Sequence, residues 1–466
     1  MIPMDLREAA EAMGAVILYE GGKPSGKLRA VSTDTRAIKK GELFFALKGR
    51  RHDAHDFLDQ ALEKGAAAVV VSRIPRGLLE RAEEKRTAVM RVRNTLSALS
   101  KLAARQREMC SAPVVGITGS TGKTLTKDFT AAVLGCEGEV TASRGSFNNE
   151  VGVPLTLLAI EPRTEYVVLE MGSRGKGHIE RLCAFSRPRV GVITNIGTAH
   201  LRYFGSRDQL ARAKAELLLA LPADGWAVIN ADDQYADFLK RLSPSPVVTF
   251  GCSPRAEVRA ERIAVDQAGK VNFILRSKGG EKEEVVLPLP GRHNVYNALA
   301  AAAVGEIMGV DMDNIAKGIE DAQVTAWRME MIKKPEEITI INDAYNANPV
   351  SMRSALMALG DIAKDKRAIA VLGDMAELGP ISEEAHSEVG KIAVDYGTDI
   401  LIAVGKKARK IAQSALERGL PRGSVFVADK VDRAAEILRS IIEPGDVILI
   451  KGSRFLGLEK LVDLVA

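Results

Sequence analysis

Short, continuous apolar runs recur along the chain, separated by longer stretches with helical spacing. Such runs are too short for helices and read as strands buried on both faces of a parallel sheet. In residues 1–110, runs at 43–47 and 66–71 flank a helical stretch at 57–65. Between 111 and 320, runs at 114–117, 166–169, 190–194 and 226–229 alternate with helical segments. Two alternating segments, 263–265 and 271–275, lie either side of Gln267-Ala268-Gly269-Lys270 and predict an antiparallel hairpin. From 321 to 466, runs at 338–341, 368–372, 400–404, 425–427 and 447–450 again alternate with helical stretches. The pattern predicts an α/β protein of three domains: a small unit at 1–110, a parallel-sheet unit at 111–320 with a hairpin appendage, and a Rossmann-like unit at 321–466. The third has no GxGxxG, so a dinucleotide cofactor is not expected.

The strand at 114–117 breaks into Gly119-Ser120-Thr121-Gly122-Lys123-Thr124, and helical spacing resumes. A strand, a loop of small residues and a helix start form a phosphate cradle: backbone N–H groups and the helix dipole face the anion. Lys123 then reaches the outer phosphates and the Thr124 hydroxyl suits Mg²⁺. The loop departs from the usual P-loop, which has glycine where Ile117 stands; Gly116 and Gly119 flank it instead.

Ligands of doubly wound sheets sit beyond the carboxyl ends of strands. Glu170 and His200 follow adjacent predicted strands there and suit Mg²⁺, histidine being the less usual ligand. Lys214 lies on a predicted helix among apolar residues, and chemistry alone makes it a solvated lysine. Asn294 and Asn297 share a helix face after Leu289-Pro290-Gly291. Two amides there suit an adenine edge, although an N-cap role for Asn294 is a serious rival. Asn342-Asp343-Ala344-Tyr345-Asn346-Ala347-Asn348-Pro349 follows a strand and reads as a ligand loop. Arg328, just before it, is placed to reach a phosphate across a domain boundary. In the first domain, Asp34-Thr35-Arg36 is either a polar turn or an anion site.

Composition adds bounds. The 466 residues carry 46% apolar and 27% charged side chains with net charge +5, the balance of a globular protein with some preference for acidic ligands. No basic run interleaved with aromatics points to nucleic acid. No apolar stretch is long enough to span a membrane. The N-terminus lacks a signal-peptide pattern, and four separated cysteines without a CxxC pair suit a reducing compartment, so a cytoplasmic protein is expected.

Taken together, these motifs resemble the Mur ligases, ATP-dependent amide-forming enzymes of bacterial peptidoglycan precursor synthesis. The resemblance covers nearly the whole chain and includes the Gly116–Thr124 loop, shared across the family. Asn342–Pro349, Val371-Leu-Gly-Asp-Met-Ala-Glu-Leu-Gly379 with His386, and Lys451-Gly-Ser-Arg454 make the chain most similar to the member that adds D-alanyl-D-alanine to UDP-N-acetylmuramoyl-tripeptide.

The resemblance implies roles residue by residue. Lys123 and Thr124 bind ATP phosphates and Mg²⁺. Glu170 and His200 are Mg²⁺ ligands, and Lys214, if carbamylated, bridges a second ion. Asn294 contacts adenine, while Arg328 and Asp343 contact phosphates and ribose. Asn148, Asn149 and Glu150 lie near the reacting carboxylate. Asp34, Thr35 and Arg36 belong to the UDP site, and Lys451, Ser453 and Arg454 place the dipeptide. A monomer is expected. Ala54, in His52-Asp53-Ala54-His55, replaces the glycine usual in the family. Rival readings are a sibling or folylpolyglutamate-type amide ligase, a P-loop kinase, and a non-catalytic nucleotide switch.

Overall fold

The computed structural model describes residues 1–22, 27–49, 52–197, 204–266 and 269–464. The protein is a mixed α/β structure with three mostly parallel sheets, as the apolar runs predict. Its chain divides into two compact units: residues 1–116, 138–172 and 178–190 form one, and residues 117–137, 173–177 and 191–466 the other.

The first unit holds a five-stranded sheet, in the order Val16–Tyr19, Ala88–Arg91, Ala68–Val71, Leu43–Phe45, Val31–Ser32. Only the Val16–Tyr19 edge is antiparallel. Every residue of Ala68–Val71 is buried, as its unbroken apolar run requires. Helix Thr95–Glu108 begins where the Asn94 side chain accepts from the Ser97 N–H at 2.8 Å. It buries Ala98, Leu99, Leu102 and Ala103, the stripe of an amphipathic helix. Helices Gly152–Leu157 and His178–Ser186 belong to the same unit.

A nine-stranded sheet runs in the order Lys282–Val286, Val271–Arg276, Val258–Val265, Val247–Gly251, Trp226–Asn230, Val190–Ile193, Val114–Thr118, Tyr166–Glu170, Val140–Ala142. The expected hairpin is present: Val258–Val265 pairs antiparallel with Val271–Arg276, which pairs antiparallel with Lys282–Val286. That last strand escapes sequence reading because it opens Lys282-Glu283-Glu284, polar as an exposed edge should be. One expectation is corrected. The strands leading to Glu170 and towards His200 are not neighbours, because the phosphate-loop strand Val114–Thr118 lies between them.

The second unit holds a six-stranded sheet, in the order Glu330–Lys333, Thr339–Asn342, Val447–Lys451, Ala368–Gly373, Ile400–Val404, Val425–Ala428. It is parallel except for Glu330–Lys333. Its core joins Ile340, Ile369, Val371, Ile402, Val404, Ile448 and Ile450 to the apolar faces of the covering helices. The C-terminal ends of Thr339–Asn342 and Val447–Lys451 lie side by side, so their following loops share one edge of the sheet.

Candidate active site

Strand Val114–Thr118 is wholly buried and helix Lys123–Gly135 starts directly after the loop. The loop conformation depends on glycine. Gly119 and Gly122 have φ of +150° and +81°; a methyl group would strike Thr194 Oγ1 at the first and Asn297 Oδ1 at the second. Thr194 and Asn195, at the end of the neighbouring strand, brace the loop. Thr194 Oγ1 donates to the Thr121 carbonyl at 2.6 Å, and Asn195 Oδ1 accepts from Thr121 N–H and Oγ1, each at 3.1 Å. The Gly197 N–H donates to Ser120 Oγ at 2.8 Å. Lys123 Nζ donates to the Gly119 carbonyl at 2.9 Å, folding over its own loop.

Arg328 reaches this loop. Its Nη2 donates to Thr124 Oγ1 at 3.1 Å, and its guanidinium lies 3.9 Å from the centre of the Tyr345 ring. The flanking residues Trp327 and Met329 have φ of +61° and +53°, sterically costly for side-chain-bearing residues. The structure holds both. Trp327 N–H donates to Glu330 Oε2 and Met329 N–H to Asp343 Oδ1, each at 3.3 Å. Arg454 stacks on the Trp327 ring at 4.3 Å. Thus the loop after Thr339–Asn342 positions the arginine that contacts the phosphate loop.

Asp343 also meets Lys451. Lys451 is buried, donates to Asp343 Oδ2 at 2.5 Å and to the Asn346 carbonyl at 3.0 Å. Burial pulls its ammonium below the ordinary lysine range, while the Asp343 carboxylate opposes that shift. Ser453 is buried and accepts at Oγ from the Ala376 N–H at 2.8 Å. Arg454 pairs with Glu459 at 2.6 Å.

Several candidates have local partners. Asn294 is the first residue of helix Asn294–Met308, not its N-cap, which is His293. Its Nδ2 donates to the Pro290 carbonyl at 2.7 Å, and its Oδ1 accepts from Asn297 Nδ2 at 3.0 Å. Asn297 Oδ1 accepts from Thr126 Oγ1 at 3.2 Å, so this amide chain supports the helix behind the phosphate loop. Asn348 caps helix Pro349–Ala363 through Ser351, whereas Asn346 is exposed. Lys214 overturns its solvated reading: it is 1% exposed and its Nζ donates to Ser173 Oγ at 3.3 Å.

In the first unit, Glu170 is 1% exposed and accepts from Asn148 Nδ2 at 2.7 Å. Asn149 Oδ1 accepts from the N–H groups of Val151 and Gly152. Asn149 and the exposed Glu150 line a cleft of about 500 Å³ with Asn94, Ser97, His178 and Arg181. Thr35 is buried against Gln60 at 2.9 Å. Asp34 accepts three hydrogen bonds from the exposed Arg36 side chain and one from its backbone N–H, which hold the Asp34 carboxyl down at about 2. Asp53 accepts from His55, whose Nε2 accepts from the Ser72 N–H at 2.9 Å, so the Ala54 loop is tied to the segment after strand Ala68–Val71.

His200 lies outside the described residues. Among the described residues no three His, Cys, Asp or Glu side chains converge as a metal site. The buried Glu170 carboxylate and Thr124 hydroxyl are nevertheless hard oxygen donors, the kind Mg²⁺ takes alongside phosphates and water.

Family models match three consecutive stretches: "Mur ligase family, catalytic domain" over residues 27–107, "Mur ligase middle domain" over 117–305, and "Mur ligase, glutamate ligase domain" over 327–454. The chain belongs to the Mur ligase family. A UDP-N-acetylmuramoyl-tripeptide--D-alanyl-D-alanine ligase of Mycobacterium tuberculosis is 37% identical, covering 99% of this chain and 98% of that one. The crystal structure of a MurF from Acinetobacter baumannii superposes with TM-score 0.86 at 31% identity, covering 99% and 98% of the two chains. A MurF ligase from Thermotoga maritima, solved in complex with ADP, gives TM-score 0.78 at 26% identity over 94% and 97%.

Against this Mur ligase background, sequence reading missed Thr194, Asn195 and Glu330, which brace the site. Their one shared signal is position: they stand in or directly beyond strands, where the loops carry ligand chemistry.

Proposed function

We infer that the protein is an ATP-dependent ligase of the carboxylate–amine type. It joins D-alanyl-D-alanine to UDP-N-acetylmuramoyl-tripeptide, giving the pentapeptide, ADP and phosphate in peptidoglycan precursor synthesis. The observation that carries this reading is the end-to-end match to ligases named for that reaction. The braced phosphate loop contacted by Arg328 supports it.

The site residues have these roles. Gly119, Ser120, Thr121 and Gly122 offer backbone N–H groups to the ATP phosphates, with Lys123 and Arg328 matching their charge. Asn294 and Asn297 form the floor of the adenine site, and Asp343 serves the ribose. Thr124, Glu170 and His200 would each offer a donor to Mg²⁺, and Lys214, if carbamylated, would supply an anion for a second ion. Mg²⁺ held there would neutralise phosphate charge. Asp34, Thr35 and Arg36 serve the UDP group. Asn346, Asn348, Lys451, Ser453 and Arg454 serve the dipeptide. The three segments 1–110, 111–320 and 321–466 divide the work between sugar-peptide, ATP and dipeptide in a cytoplasmic monomer.

The substrate carboxylate attacks the γ-phosphorus, ADP leaves, and an acyl phosphate forms. Lys123, Arg328 and the loop N–H groups stabilise charge on the transferring group. The dipeptide amine attacks the acyl carbon, and the tetrahedral adduct expels phosphate and a proton. Asn149 and Glu150 stand near the reacting carboxylate of the peptide. The test is phosphate release from ATP with both co-substrates and with each alone. Release that needs both, with a UDP-linked pentapeptide product, is expected. Release with another amine would move the protein to a sibling activity, and transfer to a stable phosphorylated product would make it a kinase.

A further inference from the structure

The helix behind the phosphate loop carries two further charges that the ligase mechanism does not use. Lys127 and Asp128 stand in the second turn of helix Lys123–Gly135, and both are buried. They pair with each other. Residues adjacent in a helix do not face each other, so the Lys127 side chain folds back to reach its neighbour. A buried ion pair adds little net stability, because desolvating both charges offsets their attraction. The pair therefore needs another reason, and the second carboxylate oxygen supplies one: Asp128 Oδ2 accepts from the Thr325 N–H at 2.8 Å. Thr325 lies in the irregular segment between helix Met312–Glu320 and strand Glu330–Lys333, shortly before Arg328.

Thr124 and Asp128 share one face of their helix, at positions i and i+4. The segment runs along that face in the opposite direction, with Thr325 held at Asp128 and Arg328 at Thr124. The two attachments are about one helical turn, roughly 6 Å, apart. The same device recurs beyond Arg328. Asp343 gives one oxygen to the buried Lys451 and the other to the Met329 N–H. Arg328 thus stands between two backbone N–H groups, each held by an aspartate whose charge is met by a buried lysine. Without the upstream hold, the left-handed backbone at Trp327 can relax and carry the guanidinium off Thr124. We propose that Asp128 is a positioning residue for the nucleotide site: it fixes Thr325 so that Arg328 reaches the phosphate loop, and Lys127 supplies the counter-charge that lets the carboxylate be buried. The proposal rests on the ligase reading, in which Arg328 meets the ATP phosphates.

The test separates the acceptor from the charge. Lys127→Met/Asp128→Asn and Lys127→Met/Asp128→Leu both remove the ion pair at similar volume, but only the first keeps an oxygen for the Thr325 N–H. In steady-state assays with the tripeptide substrate and D-alanyl-D-alanine saturating, the Asp128→Leu pair should have the lower kcat/KM for ATP by about tenfold, the scale of one hydrogen bond. The loss should lie mainly in KM for ATP. Repeating the comparison in Arg328→Ala should abolish the difference, because Asp128 then has no arginine to place. Equal kcat/KM for the two pairs with Arg328 present, or the same gap with and without it, would overturn the proposal and leave the ligase reading intact. Thermal midpoints report folding, and a pair that does not fold would make these residues part of the folding core and overturn the proposal too. An Arg328→Ala variant with unchanged kcat/KM for ATP would overturn the role of Arg328 and this proposal with it. No ATP-dependent ligation by the unmodified protein would overturn the ligase reading itself.

Discussion

In the proposed function, Arg328 is the residue on which the nucleotide site turns. It lies between two residues with left-handed backbone, stacks on Tyr345 and donates to Thr124. Replacing it by alanine removes a cation aimed at the phosphates. We expect Arg328→Ala to lower kcat/KM for ATP by about 10²–10³-fold in steady-state assays, with folding kept. Arg328→Lys should recover little, because an ammonium can neither stack on Tyr345 nor present a planar fork. Two histidines set a different response. His386 is fully buried, with the Met375 N–H donating to its Nε2 and its Nδ1 donating to the Ser382 carbonyl; burial lowers its pKa. His293 has a buried Nδ1 without a hydrogen-bond partner, and burial holds it down at about 4. Both are depressed below the ordinary 6.5, so below that pH the unfolded chain binds more protons than the folded one. Stability should therefore fall as pH drops from 6.5 towards 4, and be flat above 7 as far as these groups are concerned. Thermal midpoints of the wild type and His386→Gln across that range check this: the variant should start less stable and show a shallower decline.

At the scale of elements, the phosphate loop is held by its neighbours as much as by its own sequence. Thr194 and Asn195 tie it to the next strand, and Asn297 fills the space beside Gly122. Gly122→Ala adds a methyl group at a left-handed position and pushes into Asn297. It should cost about 1–2 kcal/mol of stability in denaturant titrations. Nucleotide affinity should fall about tenfold or more as the loop shifts. These braces also show what the sequence made legible. Unbroken apolar runs announced the buried parallel strands, and Gly-Lys-Thr after one of them announced the cradle. The edge strands Glu330–Lys333 and Lys282–Val286 were hidden, because their solvent-facing positions are polar and no continuous run forms. The burial of Lys214 was hidden for a related reason: a lysine's surroundings depend on what packs over its helix, which local spacing does not record. Asn294 bonds locally, and sequence could not separate that from a ligand role, since a first-turn amide and a base-reading amide look alike.

At the scale of the whole molecule, the chemistry demands protection from water. An acyl phosphate is lost to hydrolysis unless the amine reaches it first. The residues proposed for ATP come from separate stretches of the second unit: the loop at 119–124, and the segment from Arg328 to Asp343 that leads into the six-stranded sheet. Trp327 and Met329, both at positive φ, connect the two. A linker held in a costly conformation by hydrogen bonds to Glu330 and Asp343 is the kind of place where a rotation can be absorbed. If the nucleotide and dipeptide sites lie as proposed, binding both would favour an arrangement closed around the sheet at 330–451. Solution scattering should therefore show a smaller radius of gyration with a non-hydrolysable ATP analogue, the tripeptide substrate and D-alanyl-D-alanine together than with any one alone. Glu330→Ala frees the Trp327 N–H and should weaken that compaction, while raising the ratio of ATP hydrolysed to pentapeptide formed, because water then competes for the acyl phosphate. Unchanged scattering across all ligand mixtures, together with tight coupling in the variant, would mean that the site is already closed and that the strained linker has no part in turnover.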